Sequence, residues 1–346
     1  MHLNWIGYDF CPYDGYGRYS VNLIRALAHM GAMITPVADG QMAMPGWMRR
    51  MAGVDFSRLS VACIPPFMLR SLPGRQWSLS MTEGSRLPAN WANTLNWTVE
   101  RVIVPCEHNK EAYHRSGVTQ PIDVIHGGTD PVEFRELPFT WRDDGTPYTF
   151  LALGDRGARK GWIEVWAAFF KAFGTAKDTP NVRLIVKARP NMNTTFDIVA
   201  NATNQDRRIS FWREDVVSMA DIYAQAHCFA IPSRSEGWGM PHREAAMMGL
   251  PVITIKHGGL DDGHTEKWSL VVEKMHEHQI NENIHEHIAG SWMRADVEEL
   301  ASLMRWCYDN PEKAAEKGKQ SARWLRENQT WDHSAMALLN LINRYG

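Results

Sequence analysis

The sequence predicts an α/β protein built from two doubly wound domains, each with a parallel sheet between helices. Short apolar segments alternate with helix-like segments in both halves of the chain, which is the pattern of parallel βαβ units. The length of 346 residues suits two hydrophobic cores of ordinary size better than one. A polar, proline-bounded segment at 138–147 has the composition of a linker. We therefore place a first domain at 1–140, a second at 147–325 and a C-terminal helix at 326–346.

The elements of the first domain are predicted from short apolar runs and from the turns between them. Strands are predicted at 3–7, 33–38, 61–64, 77–81, 101–104 and 122–125. Helices are predicted at 18–30 and 107–116, with another beginning near 87–91. The first strand is followed by Asp14-Gly15-Tyr16-Gly17, where glycines let backbone amides approach a ligand at a helix start. Glu83 and His126 follow later strands and are predicted at the same edge of the sheet.

The second domain shows the same alternation. Strands are predicted at 148–153, 182–187, 209–212, 228–231 and 251–255, and helices at 162–173, 241–248 and 311–344. A further helix is expected to end near His227. Because Pro241 lacks an N–H, it suits the first turn of a helix, and Gly249 suits the position after the last turn.

The composition narrows the class of protein. Hydrophobic residues make up 44% and charged residues 22% of the chain, which is the balance of a soluble globular protein. No apolar run reaches the length of a membrane span, and the first ten residues lack the basic start of a signal peptide. The five cysteines are widely spread without a CxxC pair, so we expect reduced thiols and a cytoplasmic location. A net charge of −2 gives no overall attraction to nucleic acid or anionic lipid.

Two carboxylates define a candidate site in the segment 228–262. Glu236 lies in a glycine-rich loop after a predicted strand, and Glu244 lies in the helix that follows, with seven residues between them. Carboxylates accept hydrogen bonds from vicinal hydroxyls, while loop amides and a helix N-terminus attract phosphate. Such groups fit a sugar attached to a nucleotide diphosphate. Taken alone, two glutamates would more often be a solvated side chain and a favourable helix start.

The surrounding sequence decides between these interpretations. The run from Glu236 to Ala246, followed by Gly-Leu-Pro-Val-Ile and Gly-Gly-Leu-Asp, resembles the E-x7-E signature of the GT-B retaining glycosyltransferases of family 4. The resemblance covers more than thirty continuous residues. It implies two Rossmann-like domains facing across a cleft, with the C-terminal helix returning to the first domain. It also implies transfer of a sugar from a UDP- or GDP-sugar to a hydroxyl, with retention of configuration.

The resemblance also assigns residues to the donor. It implies that Glu236 and the amides of the following loop hold the donor sugar, and that Glu244 binds the ribose hydroxyls. The loop residues are Gly237, Trp238, Gly239 and Met240. A cationic turn after the first strand of the second domain resembles the Arg…Lys-Gly turn that binds the diphosphate. Lys160 precedes Gly161 as in the family, but the spacing leaves open whether Arg156 or Arg159 is its arginine.

Weaker features of the resemblance extend the site. Gly15 and Gly17 belong to a "G-x-G-R-Y" helix start found at the amino end of family 4 enzymes. Trp212 and Arg213 follow a strand where the family places the nucleotide base, and Trp212 would equally suit the core. Acceptor-orienting residues are expected among Asp14, Glu83 and His126.

No D-x-D motif occurs in the chain, so we expect no metal and no cofactor beyond the nucleotide sugar. The histidine-rich segment 276–287 is interpreted as a solvated or acceptor-facing insertion rather than a metal site, because its i, i+2 spacing does not suit a zinc helix.

Two other classes remain as alternatives. An NAD-dependent oxidoreductase is suggested by Gly15-Tyr16-Gly17 with Asp39 about twenty residues later. Ser20 replaces the third glycine of that motif, and the oxidoreductase interpretation leaves the segment 236–262 unexplained. A non-catalytic sugar- or nucleic-acid-binding module is the other alternative. For a transferase, a glycan or lipid-linked glycan is the expected acceptor, with a modified DNA base as the alternative. The oligomeric state is left open.

Overall fold

The structure is a computed structural model that forms two compact units. It describes residues 1–7, 10–11, 14–38, 54–138, 145–154, 157–188, 206–212, 214, 216, 218–281 and 287–346. The first unit comprises Met1–Asp130, Ile280–Ser291 and Asn328–Gly346, and the second comprises Pro131–Gln279 and Trp292–Glu327. The change of unit therefore comes at Asp130, before the predicted linker, and Phe134 already lies in the core of the second unit.

The strands are short and largely buried, as expected for parallel sheets covered on both faces. They are β1 (His2–Gly7), β2 (Met33–Ala38), β3 (Ser60–Cys63), β4 (Gln76–Leu79), β5 (Arg101–Val104), β6 (Ile122–Val124), β7 (Tyr148–Gly154), β8 (Val182–Ala188), β9 (Ile209–Trp212), β10 (Cys228–Ala230), β11 (Val252–Ile255), β12 (Leu270–Val272), β13 (Met275–Gln279) and β14 (Ser291–Ala295).

The helices alternate with these strands and cover the sheets. They are α1 (Gly15–His29), α2 (Trp91–Thr98), α3 (Glu107–Arg115), α4 (Trp162–Phe173), α5 (Met219–Tyr223), α6 (Met240–Met247), α7 (Thr265–Trp268), α8 (Val297–Asp309), α9 (Pro311–Asn328) and α10 (Trp331–Tyr345).

The described strands of the first unit form a six-stranded parallel sheet in the order β2-β1-β3-β4-β5-β6. The C-terminal helix α10 belongs to this unit and packs against α1. Tyr19 and Trp331 meet edge to face with ring centroids 4.9 Å apart. At Gly128 the backbone passes so close to this helix that a Cβ would lie 2.2 Å from the amide nitrogen of Trp331. A larger residue there would push the helix away.

The second unit has the strand order of a dinucleotide-binding sheet. Its described strands form a six-stranded parallel sheet, β12-β11-β10-β7-β8-β9. Numbered within the unit and read from the β9 edge, this order is 3-2-1-4-5-6. The order reverses between β7 and β10, and the loops after these two strands flank the crevice where such sheets bind ligands. The predicted fold class, two doubly wound α/β domains, is confirmed.

Two predicted helices have different bounds in the structure. The stretch 311–344 is divided between α9 and α10, because Thr330 caps a new helix: its backbone N–H donates to the ring of His333, and its hydroxyl also pairs with that ring. The helix expected to end near His227 is α5, which ends at Tyr223. In the part of the chain that the structure describes, no helix combines the length and the apolar composition needed to cross a membrane.

Candidate active site

The reversal of strand order brings two predicted site loops together. The turn Ala158–Lys160 follows β7, and the glycine-rich loop 232–239 follows its neighbour β10. Arg234 donates its backbone N–H to the carbonyl of Arg159 at 2.7 Å. Arg159 in turn donates a guanidinium N–H to the carbonyl of Ser235 at 2.8 Å. The two loops are thus joined by backbone and side-chain hydrogen bonds.

Gly161 makes this approach possible. Its φ of +72° lies in the left-handed region, and an added Cβ would lie 2.5 Å from the carbonyl oxygen of Pro232. Glycine therefore satisfies both the conformation and the space at this position. These two constraints explain why a glycine follows Lys160, as the sequence motif predicted.

The centre of the site is a buried ion cluster of Lys160, Arg159 and Glu236. The ammonium of Lys160 lies 2.5 Å from one carboxylate oxygen of Glu236, and the guanidinium of Arg159 lies 3.0 Å from the other. All three residues are less than 10% exposed. The structure thus brings together three predicted donor residues, although the sequence analysis did not predict that they would bind one another.

These cations keep Glu236 ionised. Burial by itself raises the pKa of the Glu236 carboxyl, but Lys160 and Arg159 outweigh burial and hold that pKa well below its ordinary value. His242 is fully buried next to this group, and burial lowers the pKa of its imidazole to about 4. The neutral ring donates to the carbonyl of Ile231 at 2.9 Å. At neutral pH the cluster therefore carries two positive charges and one negative charge.

The predicted sugar-binding loop is held by close backbone packing. Gly259 donates its N–H to the carbonyl of Glu236 at 2.6 Å, and an added Cβ on Gly259 would lie 2.3 Å from the carbonyl oxygen of Gly237. Gly239 has a φ of +79° and ends the loop at the start of α6, with Met240 as the first residue of that helix. Glycines at 237, 239, 258 and 259 thus let two backbone segments meet.

The buried Arg243 binds the glycine-rich loop 232–239. Arg243 is fully buried, pairs with Asp262 at 2.8 Å and donates to the carbonyl of Trp238. Its guanidinium lies over the ring of Trp238 at 3.6 Å and near that of Trp268 at 4.6 Å. Asp262 also accepts from the Trp268 indole at 3.0 Å. The indole of Trp238 is therefore buried against the guanidinium of Arg243.

Glu244 lies in α6 and is also buried. It accepts a hydrogen bond of 2.8 Å from the hydroxyl of Tyr223, at the end of α5. That tyrosine holds one carboxylate oxygen of Glu244 in place. Tyr223 could not be predicted from the sequence, because it lies 21 residues from Glu244 in a segment without a motif.

Three predicted donor residues of the second domain remain. Trp212 ends β9 and is partly buried against the core of the second unit. Arg156 and Arg213 lie outside the described residues. The roles of all these residues stay predictions.

The predicted residues of the first unit lie at the carboxyl ends of its strands. Asp14 caps α1 by accepting the N–H of Gly17 at 3.1 Å, and Gly15 is the first residue of that helix. Glu83 follows β4, and His126 follows β6. They lie after different strands of the same sheet, as the sequence predicted. The predicted His-rich segment begins in β13 at the exposed His276 and His278, and residues 282–286 lie outside the described residues.

Part of the chain matches a known protein family. Residues 133–304 match the family model described as Glycosyl transferases group 1. Over these residues the chain is therefore similar to the glycosyl transferases group 1 family. The match covers the whole buried cluster and extends from the approach to β7 into α8.

Sequence relatives of this domain are named glycosyltransferases. The D-inositol 3-phosphate glycosyltransferase of Gordonia bronchialis is 30% identical over 126 residues, which is 36% of this chain and 23% of that protein. The serotype-specific mannosyltransferase WbdA of Escherichia coli is 28% identical over 107 residues, 30% of this chain and 13% of that protein. The match therefore spans less than a quarter of the length of these relatives.

Solved structures resemble the chain over its full length. Sucrose-phosphate synthase from Thermosynechococcus elongatus superimposes with a TM-score of 0.71 at 16% identity, covering 99% of this chain and 98% of that one. Alr3699/HepE of Anabaena, in complex with UDP-glucose, has a TM-score of 0.67 at 13% identity, covering 99% and 100%. At these identities the likeness shows the fold, which is that of the GT-B glycosyltransferases.

Proposed function

We propose that this protein is a nucleotide-sugar-dependent glycosyltransferase that transfers a sugar to a hydroxyl with retention of configuration. The observation that carries the proposal is the buried cluster of Lys160, Arg159 and Glu236 at the point where the strand order reverses. Fixed cations at such a crevice suit an anionic diphosphate. The cluster lies in the region that matches the glycosyl transferases group 1 model.

In this proposal the donor enters with its diphosphate at Lys160 and an arginine. Arg159 is the described candidate, since it already contacts the same carboxylate. Glu236 and the amides of residues 237–240 hold the sugar, and Glu244 accepts from the ribose hydroxyls. Because both cations are paired with Glu236 in this structure, the donor must share or displace those ion pairs.

The proposed chemistry is a front-face displacement. The bond between the anomeric carbon and the phosphate oxygen breaks, and the acceptor oxygen forms a new bond on the same face. The leaving phosphate oxygen takes the proton of the acceptor hydroxyl. Negative charge grows on the diphosphate as the bond breaks, and Lys160 and Arg159 stabilise that charge. The absence of D-x-D from the sequence motivates a mechanism without a metal.

The acceptor and the compartment belong to the proposal as well. A glycan or lipid-linked glycan in the cytoplasm is the acceptor we propose, with a hydroxylated DNA base as the alternative. The relatives carry different names, D-inositol 3-phosphate glycosyltransferase and serotype-specific mannosyltransferase. Neither an NAD-dependent oxidoreductase nor a non-catalytic binding module gains support from these matches.

A direct test is incubation with a panel of UDP- and GDP-sugars, scored for slow hydrolysis of the donor in the absence of acceptor. We expect one nucleotide series to be hydrolysed and the same nucleotide to bind in calorimetry, while NAD does not bind. A Glu236→Gln variant should hydrolyse the donor at a strongly reduced but measurable rate, and Glu298→Gln, in the exposed pair with Lys171, should retain the full rate. Binding of NAD without binding of UDP or GDP would refute the proposal.

A further inference from the structure

A second buried ion cluster lies beside the first and contains no predicted site residue. Glu164 in the first turn of α4 accepts from Arg234 at 2.7 Å and from Arg294 of β14 at 2.7 Å, through the same carboxylate oxygen. Glu164 is 1% exposed and Arg234 is 4% exposed. The other oxygen of Glu164 and the Nε of Arg234 have no hydrogen-bond partner among the described residues.

Arg234 is fixed at three points. Its backbone N–H donates to the carbonyl of Arg159, its carbonyl accepts the N–H of Met293 at 3.1 Å, and its side chain binds Glu164. Only Ser235 separates it from Glu236. Any movement of Arg234 is therefore passed directly to the carboxylate that binds Lys160.

The two clusters link the same pair of segments, and each segment supplies the cation of one ion pair and the anion of the other. On the segment 159–164, the cation Lys160 is followed by the anion Glu164, while on the segment 234–236 the cation Arg234 is followed by the anion Glu236. A shift that placed Glu164 against Glu236 would bring like charges together in a buried site. Such repulsion costs several kcal/mol, so the pattern selects one register between the loops.

Stability alone does not explain a buried pair of this kind. Desolvation opposes burial of Glu164 and Arg234, and apolar residues of similar volume often serve stability as well or better. Among the described residues, two polar atoms of this cluster have no hydrogen-bond partner, which adds to the cost. A gain in the position of the neighbouring loop accounts for retaining the charges.

We propose that Glu164 is a positioning residue for the donor site, holding Glu236 against Lys160 through Arg234. The inference rests on the proposed glycosyltransferase function and adds to it a residue that does not itself touch the substrate. A misplacement of about 1 Å at a reacting group can lower the rate on the order of a hundredfold. Glu164 would thus affect kcat without contacting the substrate.

The first test is Glu164→Gln, which keeps the shape of the side chain and removes its charge. We expect kcat for donor hydrolysis to fall about ten- to a hundredfold, with nucleotide affinity changed by less than about threefold because Glu244 is untouched. Arg234→Met should reproduce this loss, and Arg234→Lys should recover part of it. The double variant Glu164→Gln/Arg234→Met should be no worse than either single variant, since the pair acts as one unit.

A second background separates positioning from general destabilisation. In a Glu236→Ala enzyme the loop has lost the group that Glu164 positions, so adding Glu164→Gln should lower the residual rate by less than about twofold. A purely structural role would lower the rate by the same factor in both backgrounds. An equal factor would therefore refute the proposal.

Hydrogen exchange of backbone amides tests the positioning role of Glu164 without an activity assay. Glu164→Gln should speed exchange in the loop 233–239. The matched control is Arg208→Met, because Arg208 is also buried and donates to the carbonyls of Phe173 and Gly174 at the far end of α4. That end lies about 14 Å from Glu164 at 1.5 Å per residue, so the control should lower stability without affecting the loop.

The outcomes distinguish the two proposals. A wild-type protein that turns over no nucleotide sugar would refute the proposed function, and unchanged exchange of the loop in Glu164→Gln would then refute the positioning role. An active wild type with normal kcat and normal loop exchange in Glu164→Gln would leave the function standing and overturn the positioning role alone.

Discussion

Removing the charge of Lys160 gives the most informative test of the site. Lys160→Met keeps most of the buried stem and deletes the ammonium that lies 2.5 Å from Glu236. If Lys160 stabilises the leaving diphosphate, its contribution grows as the sugar–phosphate bond breaks, so its loss lowers kcat rather than only raising KM. Deleting one such donor typically costs about 2.7–4 kcal/mol, or a hundred- to a thousandfold in kcat.

The structure adds a second effect of the same substitution. Breaking a buried ion pair by removing one partner typically costs about 3–5 kcal/mol of stability. Glu236 retains Arg159 at 3.0 Å, so we expect a value near the lower end, about 3 kcal/mol. The activity assay must therefore be run well below the unfolding temperature of the variant.

A double variant separates these two effects. Lys160→Met/Glu236→Gln removes both charges, so it should recover part of the lost stability, because no carboxylate is left short of a partner. It should not recover turnover. Lys171→Met is the matched control: Lys171 lies on α4 and is 46% exposed in its pair with Glu298, and such surface pairs contribute about 0–1 kcal/mol. Lys177→Met, at a second exposed lysine, should likewise leave turnover unchanged.

The assay is steady-state donor hydrolysis with denaturant unfolding measured in parallel. A folded Lys160→Met enzyme with near-normal kcat would refute the reasoning. The turn would then be a structural partner of Glu236 only, and the diphosphate would have to bind elsewhere.

Three further predictions follow from the site. Glu244→Ala should weaken binding of the cognate nucleotide about tenfold or more, because a charged acceptor typically contributes roughly 1.5–3 kcal/mol; unchanged calorimetric affinity in a folded variant would reject the ribose assignment, and Tyr223→Phe should have a smaller effect. Turnover should persist in EDTA, given the absent D-x-D and the fixed cations Lys160 and Arg159; complete loss that manganese or magnesium restores would contradict this. His242 has a folded-state pKa of about 4 against 6.5, so the unfolded chain takes up its proton first and stability falls as the pH drops from about 6.5 to 4. At about 1.4 kcal/mol per pKa unit the loss is at most on the order of 3 kcal/mol, and urea unfolding of His242→Gln should show a correspondingly weaker pH dependence than wild type.

Strands were predicted well because each is a short apolar run between turn residues. The strand predicted at 209–212 matches Ile209–Trp212, and the segment 228–262 has the predicted strand, loop, helix and strand. The order of the strands in the sheet, in contrast, could not be predicted from local sequence patterns. It depends on which strands pair across the sheet, and no local pattern in β7 tells that it lies between β8 and β10.

The candidate site was predicted as a set of residues but not as a set of contacts. Lys160 and Glu236 were both chosen from motifs, yet they are 76 residues apart in sequence. Their direct ion pair follows from the neighbouring ends of β7 and β10. Glu164 and Arg234 gave no signal, because a charged residue in the first turn of a helix and another in a polar loop are ordinarily solvated. Only the fold reveals that both are buried.

The ionisation of Glu236 restricts what this carboxylate can do in the proposed reaction. A general acid needs a pKa raised toward the working pH, whereas Lys160 and Arg159 hold the pKa of Glu236 well below its ordinary value despite burial. The group is therefore an acceptor of hydrogen bonds and a partner for positive charge, and has no proton to give. In the proposed displacement no acid is required, since the leaving phosphate oxygen receives the proton of the acceptor hydroxyl. When a diphosphate draws Lys160 or Arg159 toward itself, Glu236 loses part of its counter-charge and becomes a stronger acceptor for the hydroxyls of the sugar. In the proposed complex the same cations thus connect binding of the diphosphate with binding of the sugar, in the segment that Glu164 and Arg234 are proposed to keep in register.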